Sequence, residues 1–289
     1  MDLATFLVQC LNALQYGLLL FLVSSGLTLI FGIMGVINLA HGSFYMIGAY
    51  LAFVLAPLFG GNFLPMLGAG VVLAVIFGYL LEWAFVSYLY RRNHLQQVLM
   101  TYGLILVFEE LRSILVGNDV HGVAPPDWLA GSIQLGTLMQ YPSYRLAISA
   151  VCLLVAAVMY LVIARTRLGM MVRAGSSNRE MTEGLGINIR LLFRTVFAAG
   201  VALAVFAGML AAPVSSVYPN MGAQVLIVCF VVVVIGGIGS VRGAFLAALL
   251  VGVVDTFGKV LIPQAAGVAI YVLMAAILLW RPEGLFRQG

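Results

Sequence analysis

The sequence predicts an all-α polytopic membrane protein, and three observations support this fold class. Of the 289 residues, 63% are hydrophobic and only 8% are charged, and the mean hydropathy is +1.13. Soluble domains contain about 25% charged residues, so this composition excludes a water-soluble fold. The apolar residues also gather into segments of about 20 residues, the length of a membrane-spanning helix. Finally, the arginines are concentrated in a few connections, as the positive-inside rule expects.

Nine apolar segments follow one another along the chain. They lie near residues 5–33, 42–59, 64–90, 95–116, 143–164, 195–217, 222–240, 243–262 and 265–280. These segments predict a bundle of about 8–9 transmembrane helices. The count depends on whether the polar residues after the first segment form a turn between two spans or an interruption within one span. The side of the membrane on which the N-terminus lies depends on the same choice.

The polar interruption after the first segment is the most informative feature of the chain. Its residues are Asn38, His41, Gly42 and Ser43. Glycine lowers helix stability by about 1 kcal/mol relative to alanine, and polar groups at membrane depth must find partners or line a wet cavity. A helix broken at that depth is tolerated only where the freed backbone groups face protein or water. We therefore predict a broken helix near residues 35–43, with open space at Gly42 and with these residues in the wall of a translocation path.

The charges in the connections predict how the chain is oriented. Residues 165–194 hold six arginines, whereas residues 113–144 hold no lysine or arginine. The positive-inside rule places the arginine-rich segment and the C-terminus in the cytoplasm. Residues 117–142, which include Asp119 and Asp127, then form a loop on the outer side of the membrane.

A short helix is predicted inside the arginine-rich segment, near residues 176–186. Ser177 followed three residues later by Glu180 is typical of a capping box with Ser177 as the N-cap, and glycines at the far end stop the helix. Met181 and Leu185 are four residues apart on one face, which favours docking in a groove of another protein over a solvated basic loop. The charged residues of this helix are Arg179, Glu180 and Glu183.

Five further ionisable residues lie inside apolar segments, where they point to a function or to a structural ion pair. They are Glu82, Glu109, Glu110, Asp255 and Lys259. Asp255 and Lys259 are four residues apart in the favourable order on a helix, so a structural ion pair is the better interpretation for them. Glu109 has Arg112 three residues away and fits both interpretations equally. Glu82 has no partner nearby in the sequence.

Catalytic chemistry and nucleotide binding find no support in the sequence. Residues 252–260 resemble a phosphate-binding loop, but they have one residue too many between the glycines and end in Val260, where that loop needs Ser or Thr. The histidines and cysteines are dispersed, without the spacing of a metal site. We therefore expect no catalytic residue, metal, cofactor or nucleic-acid partner.

Four segments together resemble the permease subunits of branched-chain amino acid ABC importers, the LivH class. They are residues 26–50, 165–188, 234–252 and 281–286. The resemblance implies a single permease domain over residues 1–289, multi-pass in a bacterial inner membrane with a cytoplasmic C-terminus. It implies as partners a LivM-like second permease subunit, two cytoplasmic ATPase subunits, a periplasmic solute-binding protein and membrane lipid. The helix near 176–186 would couple to an ATPase, and the 117–142 loop would receive the binding protein.

The substrate implied by this resemblance is a branched-chain amino acid or a related small polar solute. The pair Glu109-Glu110 departs from the family pattern, because members commonly have Gln-Asn at this point. Relatives carry urea, short amides and organic acids, so the added acid keeps these substrates in consideration. The alternative from another class is an ion-coupled secondary transporter that uses Glu109 or Asp255 as its proton or sodium site.

Overall fold

A computed structural model of the chain describes residues 2–135 and 139–286 and shows a helical bundle. The helices are α1 (Leu3–Met34), α2 (His41–Leu58), α3 (Phe63–Ala84), α4 (His94–Val116), α5 (Ser143–Arg165), α6 (Arg167–Ser177), α7 (Arg179–Gly184), α8 (Ile189–Ala211), α9 (Met221–Gly236), α10 (Val241–Leu261) and α11 (Ala266–Trp280). Short 3₁₀ turns cover Val86–Arg91, Asp127–Leu129 and Pro263–Ala265. An antiparallel hairpin pairs β1 (Ser132–Leu135) with β2 (Met139–Pro142).

The predicted fold class is confirmed. Within the described residues, seven helical segments are long and apolar enough to cross a membrane, namely α1, α2, α3, α5, α8, α10 and the stretch Pro263–Trp280. The remaining two apolar segments of the sequence form α4, which carries three charged residues, and α9, which is apolar but only 16 residues long. Each of the nine apolar segments therefore corresponds to one helix.

The core lies where α1 and α8 meet α2, α3 and α10. Small residues bring these helices together, as is usual where no water drives helix association. A Cβ on Gly26 would lie 2.5 Å from the carbonyl oxygen of Gly200, and a Cβ on Gly17 would lie 2.9 Å from that of Ala248. Four small residues at four-residue intervals along α8 and its C-cap are all buried, namely Gly200, Ala204, Gly208 and Ala212. This stripe of small residues therefore packs within this chain.

The outer helices keep apolar side chains on their exposed faces, as membrane helices do. Large exposed residues of this kind include Leu99, Ile114, Leu154 and Leu279. Helix α5 connects two different ends of the bundle, because the hairpin precedes it and α6 and α7 follow it. We call these the hairpin end and the α7 end. With 23 residues at about 1.5 Å each, α5 separates them by roughly 35 Å.

Candidate functional site

The break in the first polar cluster is the connection between α1 and α2. Helix α1 ends at Met34, because Gly35 adopts a left-handed conformation with φ 65° and its N–H closes the last turn on Phe31. Residues 35–40 are not helical, and α2 begins at His41. The predicted break near 35–43 is therefore shorter than expected. His41, Gly42 and Ser43 form the first turn of α2 instead of belonging to the break.

This non-helical segment is buried in protein rather than facing lipid. Asn38 is buried, and two polar side chains of α4 approach the backbone of Ile37. The N–H of Ile37 donates to Oε1 of Gln97 at 3.4 Å. The Thr101 hydroxyl donates to the Gln97 carbonyl oxygen at 2.9 Å and lies 3.5 Å from the Ile37 carbonyl oxygen. Backbone groups freed at membrane depth need such partners. Gln97 and Thr101 were not predicted, because an isolated polar residue in an apolar helix does not indicate which backbone segment it contacts.

His41 lies at the middle of the bundle, level with the centre of α8. Its side chain is fully buried, with Nε2 2.9 Å from the Val23 carbonyl oxygen of α1. Because a carbonyl only accepts, Nε2 carries the proton and donates. Within the described residues, Nδ1 of His41 and Nδ2 of Asn38 have no hydrogen-bond partner. Two buried nitrogens without partners therefore lie close together in sequence, in the core of the described residues.

Gly42 does not border open space. A Cβ on Gly42 would lie 2.7 Å from Cβ of Leu226 and still nearer to the Gly222 carbonyl oxygen, so the backbones of α2 and α9 touch at this point. Ser43 is buried, and its N–H donates to the Ala40 carbonyl oxygen at 3.0 Å. The prediction of open space at Gly42 was wrong. The glycine is needed for close helix contact, a use that a single sequence does not distinguish from a break.

Glu82 belongs to a polar cluster at the α7 end. Its Oε2 is 2.7 Å from Nε of Arg194 on α8, and its Oε1 accepts from the Tyr90 hydroxyl. The guanidinium of Arg179 on α7 lies over the Tyr90 ring at 5.5 Å and over the Phe193 ring at 4.9 Å. The cluster therefore fastens α7 to α3 and α8. The pair was not predicted from the sequence, because Glu82 and Arg194 are 112 residues apart.

Asp255 and Lys259 form the predicted ion pair on α10, with Nζ 2.6 Å from Oδ2. The Asp255 side chain is nearly buried, whereas the Lys259 side chain is mostly exposed. The ammonium also lies 5.5 Å from the centroid of the Tyr16 ring on α1. Each charge has its counter-charge, so the structural interpretation fits this pair.

Glu109 and Arg112 form a clamp at the hairpin end. Oε2 of Glu109 is 2.8 Å from Nε of Arg112, and Oε1 accepts from the N–H of Asn220, the residue that precedes α9. Arg112 also donates to the Gly117 carbonyl oxygen at 2.6 Å. These bonds join α4, the following loop and the start of α9, which is a structural role. Glu110, by contrast, is exposed on the surface of α4.

The hairpin itself is anchored to α1 through Asn12. Oδ1 of Asn12 accepts from the Tyr141 hydroxyl at 3.0 Å and from Nη1 of Arg145 at 2.7 Å. Burial raises the pKa of Tyr141, which outweighs the opposite effect of Arg145, so the hydroxyl stays protonated and donates. This anchor fixes the position of the loop over residues 117–142 on the bundle.

The short helix predicted near 176–186 is present, but it begins differently. Ser177 is the last residue of α6, and the N-cap of α7 is Asn178, whose Oδ1 accepts from the Met181 N–H at 3.0 Å. Glu180 therefore occupies the second helical position and closes no capping box. The prediction of Ser177 as N-cap was wrong, since Ser and Asn cap equally well and α6 extends farther than expected.

The far end of α7 and its apolar edge agree with the sequence analysis. Gly186 has φ 84°, its N–H donates to the Glu183 carbonyl oxygen, and the Ile187 N–H donates to that of Thr182. This is a Schellman ending, which requires glycine at the left-handed position. Met181 and Leu185 are 69% and 80% exposed, so the apolar edge of α7 is uncovered in this chain.

Comparison with known proteins adds a family to this architecture. Residues 9–279 match the family described as the branched-chain amino acid transport system / permease component. The chain belongs to this family. The permease is 32% identical to the high-affinity branched-chain amino acid transport system permease protein BraD of Pseudomonas aeruginosa, over 97% of this chain and 95% of the relative. It is 29% identical to LivH of Salmonella typhimurium, over 97% and 95% of the two chains.

A third relative is less similar in sequence. The probable branched-chain amino acid transport permease protein LivH of Methanocaldococcus jannaschii is 26% identical, over 95% of this permease and 90% of the relative. No solved structure matches the chain. Because these matches cover nearly the whole permease, they include both the α1–α2 connection and the α6–α7 segment.

Proposed function

We propose that this permease is the membrane-spanning subunit of an ATP-driven importer of branched-chain amino acids or a related small polar solute. The observation that carries the proposal is the match to the family over residues 9–279, with relatives aligned along nearly their whole length. The relatives are named as branched-chain amino acid transport permeases, which supports the same substrate class here. The protein is multi-pass, and we place it in a bacterial inner membrane with its C-terminus in the cytoplasm.

The energy source in this proposal lies in other subunits. One of two cytoplasmic ATPases would bind the exposed edge formed by Met181 and Leu185, which the chain itself leaves uncovered. Exposed apolar pairs on a short helix suit a groove in a partner. The charged residues of α7 would play different parts, because Glu180 and Glu183 are exposed whereas Arg179 is held over aromatic rings of this chain.

The substrate path in this proposal passes near the start of α2. Asn38 and His41 each have a buried nitrogen without a partner, and these are groups that a polar substrate or water can bind. Ser43 lies beside them, and the Gly42 contact with α9 gives the path one wall. A LivM-like second permease subunit would complete the path, and a periplasmic binding protein would deliver substrate to the loop over residues 117–142.

Ion coupling has less support. The two acids that the alternative needs are both engaged, Glu109 with Arg112 and Asp255 with Lys259. No observation on the described residues favours the secondary-transporter interpretation.

The test is reconstitution. The permease is co-expressed with the ATPase, second-permease and binding-protein genes of the same genome and is placed in vesicles with ATP on the cytoplasmic side. We expect uptake of radiolabelled leucine that requires both ATP and the binding protein. Unlabelled urea, short amides and organic acids are then added as competitors, and their inhibition of leucine uptake ranks the substrates. Uptake by the chain alone, driven by a proton or sodium gradient without ATP, would refute the proposal.

A further inference from the structure

A large groove runs along the outside of the bundle between α1, α5 and α10. Its volume is about 1210 Å³, and its floor is made of apolar side chains such as Phe21, Leu29, Leu153 and Leu246. Leu153 and Leu246 are about half exposed, so the groove opens to the surface of the bundle at membrane depth. An open apolar groove at that depth is filled either by lipid or by another protein.

One end of the groove is basic. Arg173 of α6 and Arg242 of α10 line the end that lies next to α6, together with hydroxyl groups of Tyr160, Ser176 and Ser240. Nη2 of Arg242 lies 3.4 Å from the Tyr160 hydroxyl, and Arg173 donates to the Ile163 carbonyl oxygen. In the described part of the chain, neither arginine is paired with a carboxylate, so two positive charges remain available.

The length of the groove matches one leaflet of a membrane. Along α5 it extends from Leu153 to Ala164, near the end of that helix. At about 1.5 Å per residue this stretch is roughly 17 Å long, and half of a bilayer's hydrocarbon core is about 15 Å thick. The basic end therefore lies at headgroup depth, and the apolar floor lies at the depth of the acyl chains.

We propose that this groove binds one anionic phospholipid, with its phosphate on Arg173 and Arg242 and its acyl chains along α1, α5 and α10. Basic pockets between transmembrane helices on the cytoplasmic side are suited to such headgroups. An apolar helix of a partner subunit would fill the floor but leave both arginines unpaired. A single amino acid would fill only a small part of the volume. The lipid accounts for both ends of the groove.

The size of the expected preference follows from the two charges. Each arginine near the membrane surface strengthens binding of an anionic lipid roughly fivefold. Both together favour phosphatidylglycerol over phosphatidylcholine by roughly 25-fold. Replacement of both arginines by glutamine removes this preference, and replacement by lysine keeps most of it, since the charge remains.

The experiment uses a tryptophan reporter in the groove and lipids with brominated acyl chains, which quench tryptophan on contact. The three native tryptophans of the full-length chain are replaced by phenylalanine, and Leu153→Trp is introduced into this background. The protein is then reconstituted in phosphatidylcholine nanodiscs, both alone and together with the subunits that co-purify with it. All three native tryptophans, Trp83, Trp128 and Trp280, are exposed. A second reporter, Val72→Trp, lies on an exposed face of α3 away from the groove.

We expect brominated phosphatidylglycerol to quench Leu153→Trp at a far lower mole fraction than brominated phosphatidylcholine, and both lipids to quench Val72→Trp equally. The preference for phosphatidylglycerol should vanish in the double variant Arg173→Gln with Arg242→Gln. It should persist in Arg190→Gln, because Arg190 is exposed near the same end but does not line the groove. Equal quenching by both lipids, or a preference that survives loss of both arginines, overturns the proposal. Absence of quenching by either lipid in the assembled complex also overturns it, because protein then fills the groove.

Discussion

Removal of the Arg194 charge should destabilise the permease about twice as much as removal of the Glu82 charge. The Glu82 side chain is 1% exposed and the Arg194 side chain is 21% exposed. Loss of one partner of a buried ion pair typically costs about 3–5 kcal/mol, because a charge stays buried without compensation. Arg194 is partly solvated, and the Tyr90 hydroxyl still donates to Glu82 in the variant. We therefore expect Arg194→Met to lower the free energy of unfolding by about 3 kcal/mol, the lower end of this range.

Two other variants of the Glu82–Arg194 pair should lose less stability than Arg194→Met. Glu82→Gln should cost only about 1.5 kcal/mol, because the uncompensated charge is then Arg194, which reaches water. Glu82→Met with Arg194→Met should restore most of the stability, since an apolar pair of similar size replaces both charges. The single and double variants together form a cycle that isolates the interaction.

The assay is thermal denaturation of the full chain in nanodiscs at one fixed scan rate, because unfolding of such proteins is commonly irreversible. At about 2–4 °C per kcal/mol, Arg194→Met should lower Tm by roughly 6–12 °C. A Tm within about 2 °C of the wild type, or a double variant as unstable as Arg194→Met, would contradict the role assigned to the cluster.

Three further variants test the α1–α2 connection and α7. Gly42→Leu should abolish uptake and cost more than about 3 kcal/mol, because it separates α2 from α9; Tm and transport in vesicles measure this. Met181→Ala with Leu185→Ala should weaken binding of the ATPase by at least about 2 kcal/mol, which raises Kd roughly 30-fold, while the Tm of the chain alone stays unchanged. Asn178→Ala should lower the local stability of α7 by about 1 kcal/mol, which is measured as faster amide hydrogen exchange in this helix. Glu180→Ala should change the exchange rate little.

These three predictions fail in distinct ways. Normal uptake in Gly42→Leu would mean that the α2–α9 contact does not need its present spacing. Wild-type ATPase binding in the double alanine variant, with weaker binding in variants of the loop arginines, would show that α7 docks through charge alone. An effect of Glu180→Ala equal to that of Asn178→Ala would mean that the capping box closes after all.

Local patterns in the sequence predicted those parts of the structure that depend on residues near one another in the chain. The helices follow from runs of apolar residues, and the ion pair Asp255–Lys259 follows from its spacing of four residues on a helix. The spacing of Glu109 and Arg112 allowed their ion pair but left a structural and a functional role equally open. The glycine stop after α7 likewise needs only its neighbours. In each case the deciding interaction closes within one or two helical turns.

Contacts between distant segments escaped prediction for the opposite reason. No sequence pattern near Glu82 predicts Arg194 as its partner, and none near Gly42 predicts its contact with Gly222. A glycine in an apolar helix fits a break and a close helix contact equally well, so only the facing helix decides between them. The N-cap was missed for another reason, because two adjacent residues of equal capping strength leave the choice to packing of the preceding helix.

Helix α8 brings the two parts of the proposed function within reach of each other. Phe193 of this helix receives the Arg179 guanidinium of α7, Phe197 packs against α2, and Gly200 touches α1 beside His41. From residue 193 to residue 200 the helix rises only about 10 Å, and two turns of a buried helix behave as a rigid unit. A displacement of α7 by a docked ATPase must therefore either break the Arg179 stack or carry this stretch of α8 with it. In the second case the movement reaches the buried histidine directly, since nothing more flexible than two helical turns lies between them.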